Sequence, residues 1–378
     1  MKEVVLHIGM HKGGSSAIQK CLDGYDDGRR RYARLGDANH SVPLYTLFST
    51  RYRDYHIHVN AGLSTARIDA LRERASAALE RELSLDRDAL MISGEDLSTL
   101  EREGVRALRD FLLARVERVK VVAYVRDPFG FASSAIGQYA YGGMRTPHVP
   151  TPRYRERFES YLELFGAGDV EFVKFDRATL CGGSVVPDFC RRAGIDADAV
   201  EDDSVNESLS RELVQLLLRF NRDGMPSQGN RCLVEARRRL VRQLRTAFDG
   251  PAMKLSPAAV IPQLDREDVD WMERAAGIAL GEGADVARAG SSDRGETLDT
   301  LLDIDDGTLL RLRELVGAQD ETIARSAGAA SLLDYLFMSC YFRVRRERAP
   351  GARLVEGASR LHGHLRRAVT ISRGRHPG

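Results

Sequence analysis

Residues 9–16 read GMHKGGSS, a glycine-rich turn that sets His11, Lys12, Gly13, Gly14, Ser15 and Ser16 between an apolar run and an amphipathic stretch. Glycines in such a turn let successive backbone N–H groups point inward. The N-terminus of a following helix adds positive potential, so the stretch can cradle a phosphate. Against the Walker pattern G-x-x-x-x-G-K-[ST], Gly14 falls on the second glycine and Ser16 on the hydroxyl. Ser15 stands where the Walker lysine belongs, and Lys12 comes three residues earlier, inside the turn. A lysine there approaches the terminal group of a ligand from the loop side; the bland alternative is a solvated turn residue. The chain has six Lys against 50 Arg, which makes a lysine in this turn more notable.

A second stretch, YVRDPFGFASSAIGQ at 124–138, carries Arg126 at a strand end and Ser134 eight residues on. Such a pair can clamp a second phosphate, Arg by charge and Ser by hydrogen bond. Asp127 fixes the turn or pairs with Arg126. No aspartate stands where a Walker magnesium ligand would, which favours chemistry that needs no metal. For a group able to accept a proton, Glu95 in SGED is the first candidate, with capping or salt-bridging as its alternative. His11 in the loop and His40 in NHSVPL are the others. His7, inside a strand, reads as a core histidine. His56 and His58 in YHIHVN are two imidazoles without a third ligand, a weak metal signal. Tyr139 and Tyr141 face an acceptor or simply pack, and Lys174 reads as structural.

These residues need elements to hold them. Short apolar runs predict buried strands at Val4–Ile8, Ala89–Ser93, Val119–Val125 and Val170–Phe175. Helical spacing predicts helices from Ser15, over 68–85, 105–116, 129–141 and 154–165, and then over 208–221, 230–247, 266–280, 307–316 and 330–346. Residues 26–60 show no clear period and read as a long excursion, and 281–305, rich in Gly, Ser and Asp, as a mobile loop. Strands alternating with helices predict an α/β protein: a three-layer P-loop NTPase-like fold with a central parallel sheet and a helical C-terminal part. On a parallel sheet the strand ends carrying Gly9, Glu95 and Arg126 can converge on one cleft. The expected organisation is a single domain over 1–340, with a nucleotide-binding core to about 220 and a helical part beyond it, followed by an Arg-rich helix or tail at 341–378.

In this order the motifs resemble those of sulfotransferases that use 3′-phosphoadenosine 5′-phosphosulfate (PAPS), in their bacterial, carbohydrate-sulfotransferase-like branch. HIGMHKGGSSAIQ resembles the 5′-phosphosulfate loop and YVRDPFGFASSAI the 3′-phosphate motif, with Arg and Ser at the family's spacing. VEFVKFDRATL and VNESLS resemble later stretches of the same family, and the likeness covers about the first 220 residues in pieces. The loop departs at Gly13, where the family usually has Thr or Ser. The resemblance implies metal-independent, in-line transfer of a sulfuryl group from PAPS to a hydroxyl or amine of a carbohydrate or secondary metabolite, leaving 3′,5′-adenosine bisphosphate (PAP). It implies that Lys12 neutralises the leaving phosphate and that His11, Gly13, Gly14, Ser15 and Ser16 line its site. Arg126 and Ser134 would hold the 3′-phosphate. Glu95, His11 or His40 would be the base.

Two other functions stay open on the sequence: a kinase with an atypical loop, and a non-catalytic binder that grips an anion with its Arg-rich end. Residues 341–378 hold ten Arg against two Glu, while the whole chain carries only +1. That balance excludes a molecule-wide electrostatic nucleic-acid binder. The basic segment is a solvated helix and tail or a surface for an anionic partner. The five Cys form no C-x-x-C pair, which fits free thiols in a reducing compartment. No apolar run reaches the roughly 20 residues of a membrane helix. With a strand beginning almost at the N-terminus, a signal peptide is not expected. Cytoplasmic localisation is the expectation.

Overall fold

A computed structural model describes residues 1–202, 208–225, 231–281 and 299–348. Its elements run β1 Glu3–His7, α1 Ser15–Leu22, β2 Arg30–Tyr32, α2 Ser41–Phe48, α3 His56–Asn60, α4 Thr65–Leu83, β3 Ala89–Ser93, α5 Arg102–Leu113, β4 Arg118–Val125, α6 Pro128–Gly142, α7 Tyr154–Phe165, β5 Val170–Lys174 and α8 Val185–Arg192. After these come α9 Arg211–Asp223, α10 Arg231–Ala247, α11 Pro257–Val260, α12 Arg266–Ala276, α13 Asp306–Gly317, α14 Glu321–Ser326 and α15 Ala329–Arg348.

The five strands form one sheet in the order β2-β3-β1-β4-β5, with every neighbouring pair parallel. The expected α/β fold with a central parallel sheet and a helical C-terminal part is therefore what the chain adopts. Near-continuous apolar runs such as ALMIS suit strands covered on both faces, and every residue of β3 is buried. Because side chains alternate along a strand, Val5, Met91, Val122 and Tyr124 point to one face, where Ile18 and Leu22 of α1 and Val185, Val186 and Phe189 of α8 cover them. Helices α5 and α7 pack over β4, and α7 also over β5.

The chain divides into two compact units: Met1–Phe131, Thr151–Asn206 and Leu264–Asp285 in the first, Ala132–Pro150, Glu207–Gln263 and Val286–Gly378 in the second. The first holds the whole sheet. The second is helical: α9, α10, α13 and α15 bury apolar stripes that include Leu217, Phe220, Leu240, Leu244, Leu336 and Phe337. There Arg237 is buried and donates to the carbonyls of Tyr141 and Ala140 and to Asn221 Oδ1. Burial pulls its pKa down to about 10.

Strand β2 is one element that sequence periodicity does not show. Its three residues, RRY, are too short to display alternation. They are fixed tertiarily: Arg31 pairs with Glu82 of α4 and with Asp26, and the Ala33 amide donates to the Met91 carbonyl at 2.9 Å. The supposed excursion over 26–60 thus contains β2, α2 and α3. His58, on α3, is buried with Nε2 2.8 Å from Thr46 Oγ1, while His56 is exposed. Most of the loop expected over 281–305 lies outside the described residues. So do part of VNESLS and all of the basic segment beyond Arg348.

Candidate functional site

The sheet register sets His7 beside Ser93 of β3 and Val122 of β4. The loops leaving β1 and β3 therefore emerge at one edge. Strand β4 runs on to Val125, so Arg126 leaves it just beyond the loop after β1. These are carboxyl ends of parallel strands on both sides of β1, where ligands bind in open α/β sheets.

The loop is built from unusual backbone. Gly9, Lys12 and Gly14 have φ of 51°, 70° and 83°. A lysine in the left-handed region is strained, and such outliers gather at ligand-binding sites. The Gly13 amide donates to the Met10 carbonyl at 3.0 Å and closes the turn. Two glycines are required by space as well. A Cβ on Gly13 would stand 2.9 Å from the Tyr124 carbonyl oxygen and 3.1 Å from that of Met10; one on Gly14 would meet Val185 and Phe175 at 2.8 and 2.9 Å. The departure at Gly13 thus has a local cause: this chain has no room there for Thr or Ser.

Helix α1 opens at Gly14 with no side-chain cap. Ser15, its first residue, is 2% exposed, and among the described residues its Oγ has no hydrogen-bond partner. A Cβ on Gly9 would fall 2.6 Å from that oxygen. An uncapped helix start with a buried, unpartnered hydroxyl is suited to an anion. Ser16 is exposed beside it, and Lys12 and His11 are half-buried.

Arg126 ties this loop to β4. Its amide donates to Met10 Sδ at 3.3 Å and its Nη1 to the Lys12 carbonyl at 3.0 Å. The guanidinium lies over the Phe175 ring, 5.5 Å from the centroid, and the Tyr154 hydroxyl donates to the Arg126 carbonyl at 2.5 Å. Burial lowers the Arg126 pKa, and the Asp127 charge opposes that. Asp127 Oδ1 accepts from the Gly130 amide at 2.7 Å, so it fixes the turn into α6. Ser134 lies on α6 beyond Phe131, in the second unit, where its neighbour Ser133 accepts from the Leu255 amide at 2.9 Å.

Glu95 opens a 3-10 turn, Glu95–Thr99, straight after β3. Its Cα would lie 3.4 Å from a Cβ on Gly9, so it adjoins the loop. Burial raises the Glu95 pKa. The His11 charge opposes this, Asp96 adds to it, and Lys12 and Arg157 oppose it. Next to it, Asp96 Oδ1 lies 2.9 Å from His11 Nε2, and its Oδ2 accepts a short hydrogen bond from the Tyr55 hydroxyl. The Asp96 amide donates to Ser41 Oγ at 3.2 Å. Burial works to raise the Asp96 pKa, but the bonds from His11 and Tyr55 outweigh it and hold it low.

His40 is placed differently. It is fully buried, stacked on Tyr32 at 4.7 Å. Its Nε2 lies 2.9 Å from the Ala33 carbonyl, which only accepts, and its Nδ1 takes the Ser93 amide at 3.1 Å. Both nitrogens are occupied, so no ring atom is left for an acceptor's proton. Burial lowers its pKa to about 4. His7 is likewise buried, with Nδ1 2.8 Å from Ser93 Oγ, and burial lowers its pKa to about 3. Lys174 Nζ stands 3.8 Å from Asp176. Tyr139 and Tyr141 are exposed in the second unit.

No family model matches this chain, and no curated protein does. Among solved structures, a sulfotransferase from Alicyclobacillus acidocaldarius is similar at a TM-score of 0.36 and 14% identity, over 58% of this chain and 93% of that one.

The first unit therefore gathers His11, Lys12, Gly13, Gly14, Ser15, Ser16, Glu95 and Arg126 at one sheet edge. Three residues beside them carry no clear mark in the sequence: Asp96, Tyr55 and Arg157. Asp96 had one available signal, its place directly after Glu95. Tyr55 comes from a stretch without period, and only folding brings it to Asp96.

Proposed function

We propose that the protein is a PAPS-dependent sulfotransferase. The observation that carries this is the cradle at the start of α1: a glycine loop with Lys12 in left-handed backbone, closing on a helix that, among the described residues, has no side-chain cap and whose Ser15 hydroxyl is buried and unpartnered. Those groups fit a terminal phosphate. In this proposal the loop amides, Ser15 and Ser16 hold the 5′-phosphate of the donor. Arg126 takes the 3′-phosphate.

Transfer then proceeds in line. The acceptor oxygen or nitrogen forms a bond to sulfur while the bond from sulfur to the 5′-phosphate oxygen breaks. The leaving electron pair goes to that oxygen, and Lys12 neutralises the charge developing there. Glu95 and His11 are the groups beside Lys12 that can take the acceptor's proton. His40 is assigned to structure, because its ring is fully engaged. A sulfuryl group carries less charge than a phosphoryl group, so this scheme needs no metal. The acceptor we propose is a hydroxyl or amine of a carbohydrate or secondary metabolite.

Thermal unfolding with PAP, set against ATP plus Mg²⁺, tests this. A ligand at 100 times its Kd adds about 2.7 kcal/mol. Stabilisation by PAP in the presence of a chelator is expected. Stabilisation by Mg-ATP alone would replace the proposal with a kinase, and no response to either would leave a non-catalytic binder.

A further inference from the structure

We propose that Asp96 and Tyr55 are positioning residues that fix the His11 ring in a single orientation and tautomer, making its Nδ1 the proton acceptor of the site. This rests on the sulfotransferase proposal for the reaction it serves, but its geometry stands by itself. Asp96 is almost completely buried, and both its oxygens are engaged: Oδ1 by His11 Nε2 at 2.9 Å and Oδ2 by the Tyr55 hydroxyl. Tyr55 is buried too, stacked on Tyr45 with centroids 4.3 Å apart. Ser41 holds the Asp96 backbone. A carboxylate bound in this way is not available to the acceptor.

In the neutral ring, a carboxylate facing Nε2 places the proton on that nitrogen, which leaves the lone pair on Nδ1. The acceptor's O–H or N–H bond breaks as its heavy atom joins sulfur, and the proton forms a bond to Nδ1. The imidazolium so created is balanced by Asp96, which stays ionised; a carboxylate behind a base has this effect in acyl transfer. Burial meanwhile raises the Glu95 pKa.

Two measurements test the inference. In protein labelled with ¹⁵N-histidine, with His11→Gln assigning the signals, the His11 ring should carry its proton on Nε2, and Asp96→Ala should give a mixture of tautomers. A wild-type ring protonated on Nδ1 alone would overturn the inference, whatever the protein's activity. The second measurement is hydrolysis of PAPS to PAP and sulfate, where water serves as acceptor. Asp96→Asn and His11→Gln should each slow it at least tenfold, Asp96→Asn with PAP affinity within twofold of wild type, and the double variant should be no slower than His11→Gln. Losses that multiply, or an Asp96→Asn protein at full rate, would overturn it. A wild type that neither binds PAP nor hydrolyses PAPS would defeat the sulfotransferase proposal instead, and the ring tautomer would still decide the positioning role.

Discussion

Arg126 Nη1 donates a hydrogen bond to the carbonyl oxygen of Lys12 at 3.0 Å, joining residues 114 positions apart in sequence. The side chain that would meet one phosphate thereby braces the loop that would meet the other. Replacement by Ala should cost about 1.5–3 kcal/mol, the range for a hydrogen bond to a charged group. It should also abolish stabilisation by PAP, whereas Arg126→Lys keeps the charge, loses the planar fork and retains part of the response. Calorimetry with and without PAP reads both effects. A full PAP response in Arg126→Ala would remove Arg126 from the donor site.

Gly13→Ser would restore the hydroxyl usual in the resembling loops, yet it should destabilise this chain. Its Cβ would stand 2.9 Å from the Tyr124 carbonyl, and overpacking of that kind costs about 1–3 kcal/mol. Gly14→Ala should cost more, because a φ of 83° adds roughly 1–2 kcal/mol for an L-residue. Urea unfolding of both variants gives the order. A Gly13→Ser protein as stable as wild type would show that the turn yields.

Glu95→Gln should stabilise the fold at neutral pH. The folded-state pKa of Glu95 is raised by burial from its ordinary 4.5, so folding favours the protonated form. Its contribution is complete below pH 4.5 and is lost as pH rises through the folded value. The variant's advantage should therefore be present at pH 7 and vanish at pH 4. An equal stability difference at both values would mean that Glu95 is not desolvated. The buried imidazoles do not affect this comparison, since both proteins carry them.

His40 has the opposite sign. Its pKa falls from 6.5 to about 4 on folding, and that of His7 falls to about 3. Their contribution is present above pH 6.5 and is lost as pH drops through those folded values. The urea midpoint should fall between pH 7 and pH 4.5. His40→Gln should be less stable at pH 7, because it breaks the bonds to Ala33 and Ser93, yet lose less on acidification. It should keep the response to PAP. A lost response would return His40 to the site.

The sequence by itself determined the elements whose signal is local. ALMIS at Ala89–Ser93 and the helix Tyr154–Phe165 lie where their apolar spacing places them, since burial pattern and backbone period coincide within a few residues. It also determined that Gly9, Glu95 and Arg126 share one edge, because parallel strands must align their carboxyl ends. Tertiary structure decided the rest. Strand β2 exists because Arg31 finds Glu82. In our proposal His40 is left out as a base because Ala33 and Ser93 occupy its nitrogens, and Asp96 enters because His11 and Tyr55 converge on it. Which atoms of a titratable side chain stay open depends on neighbours distant in sequence, and no residue spacing encodes them.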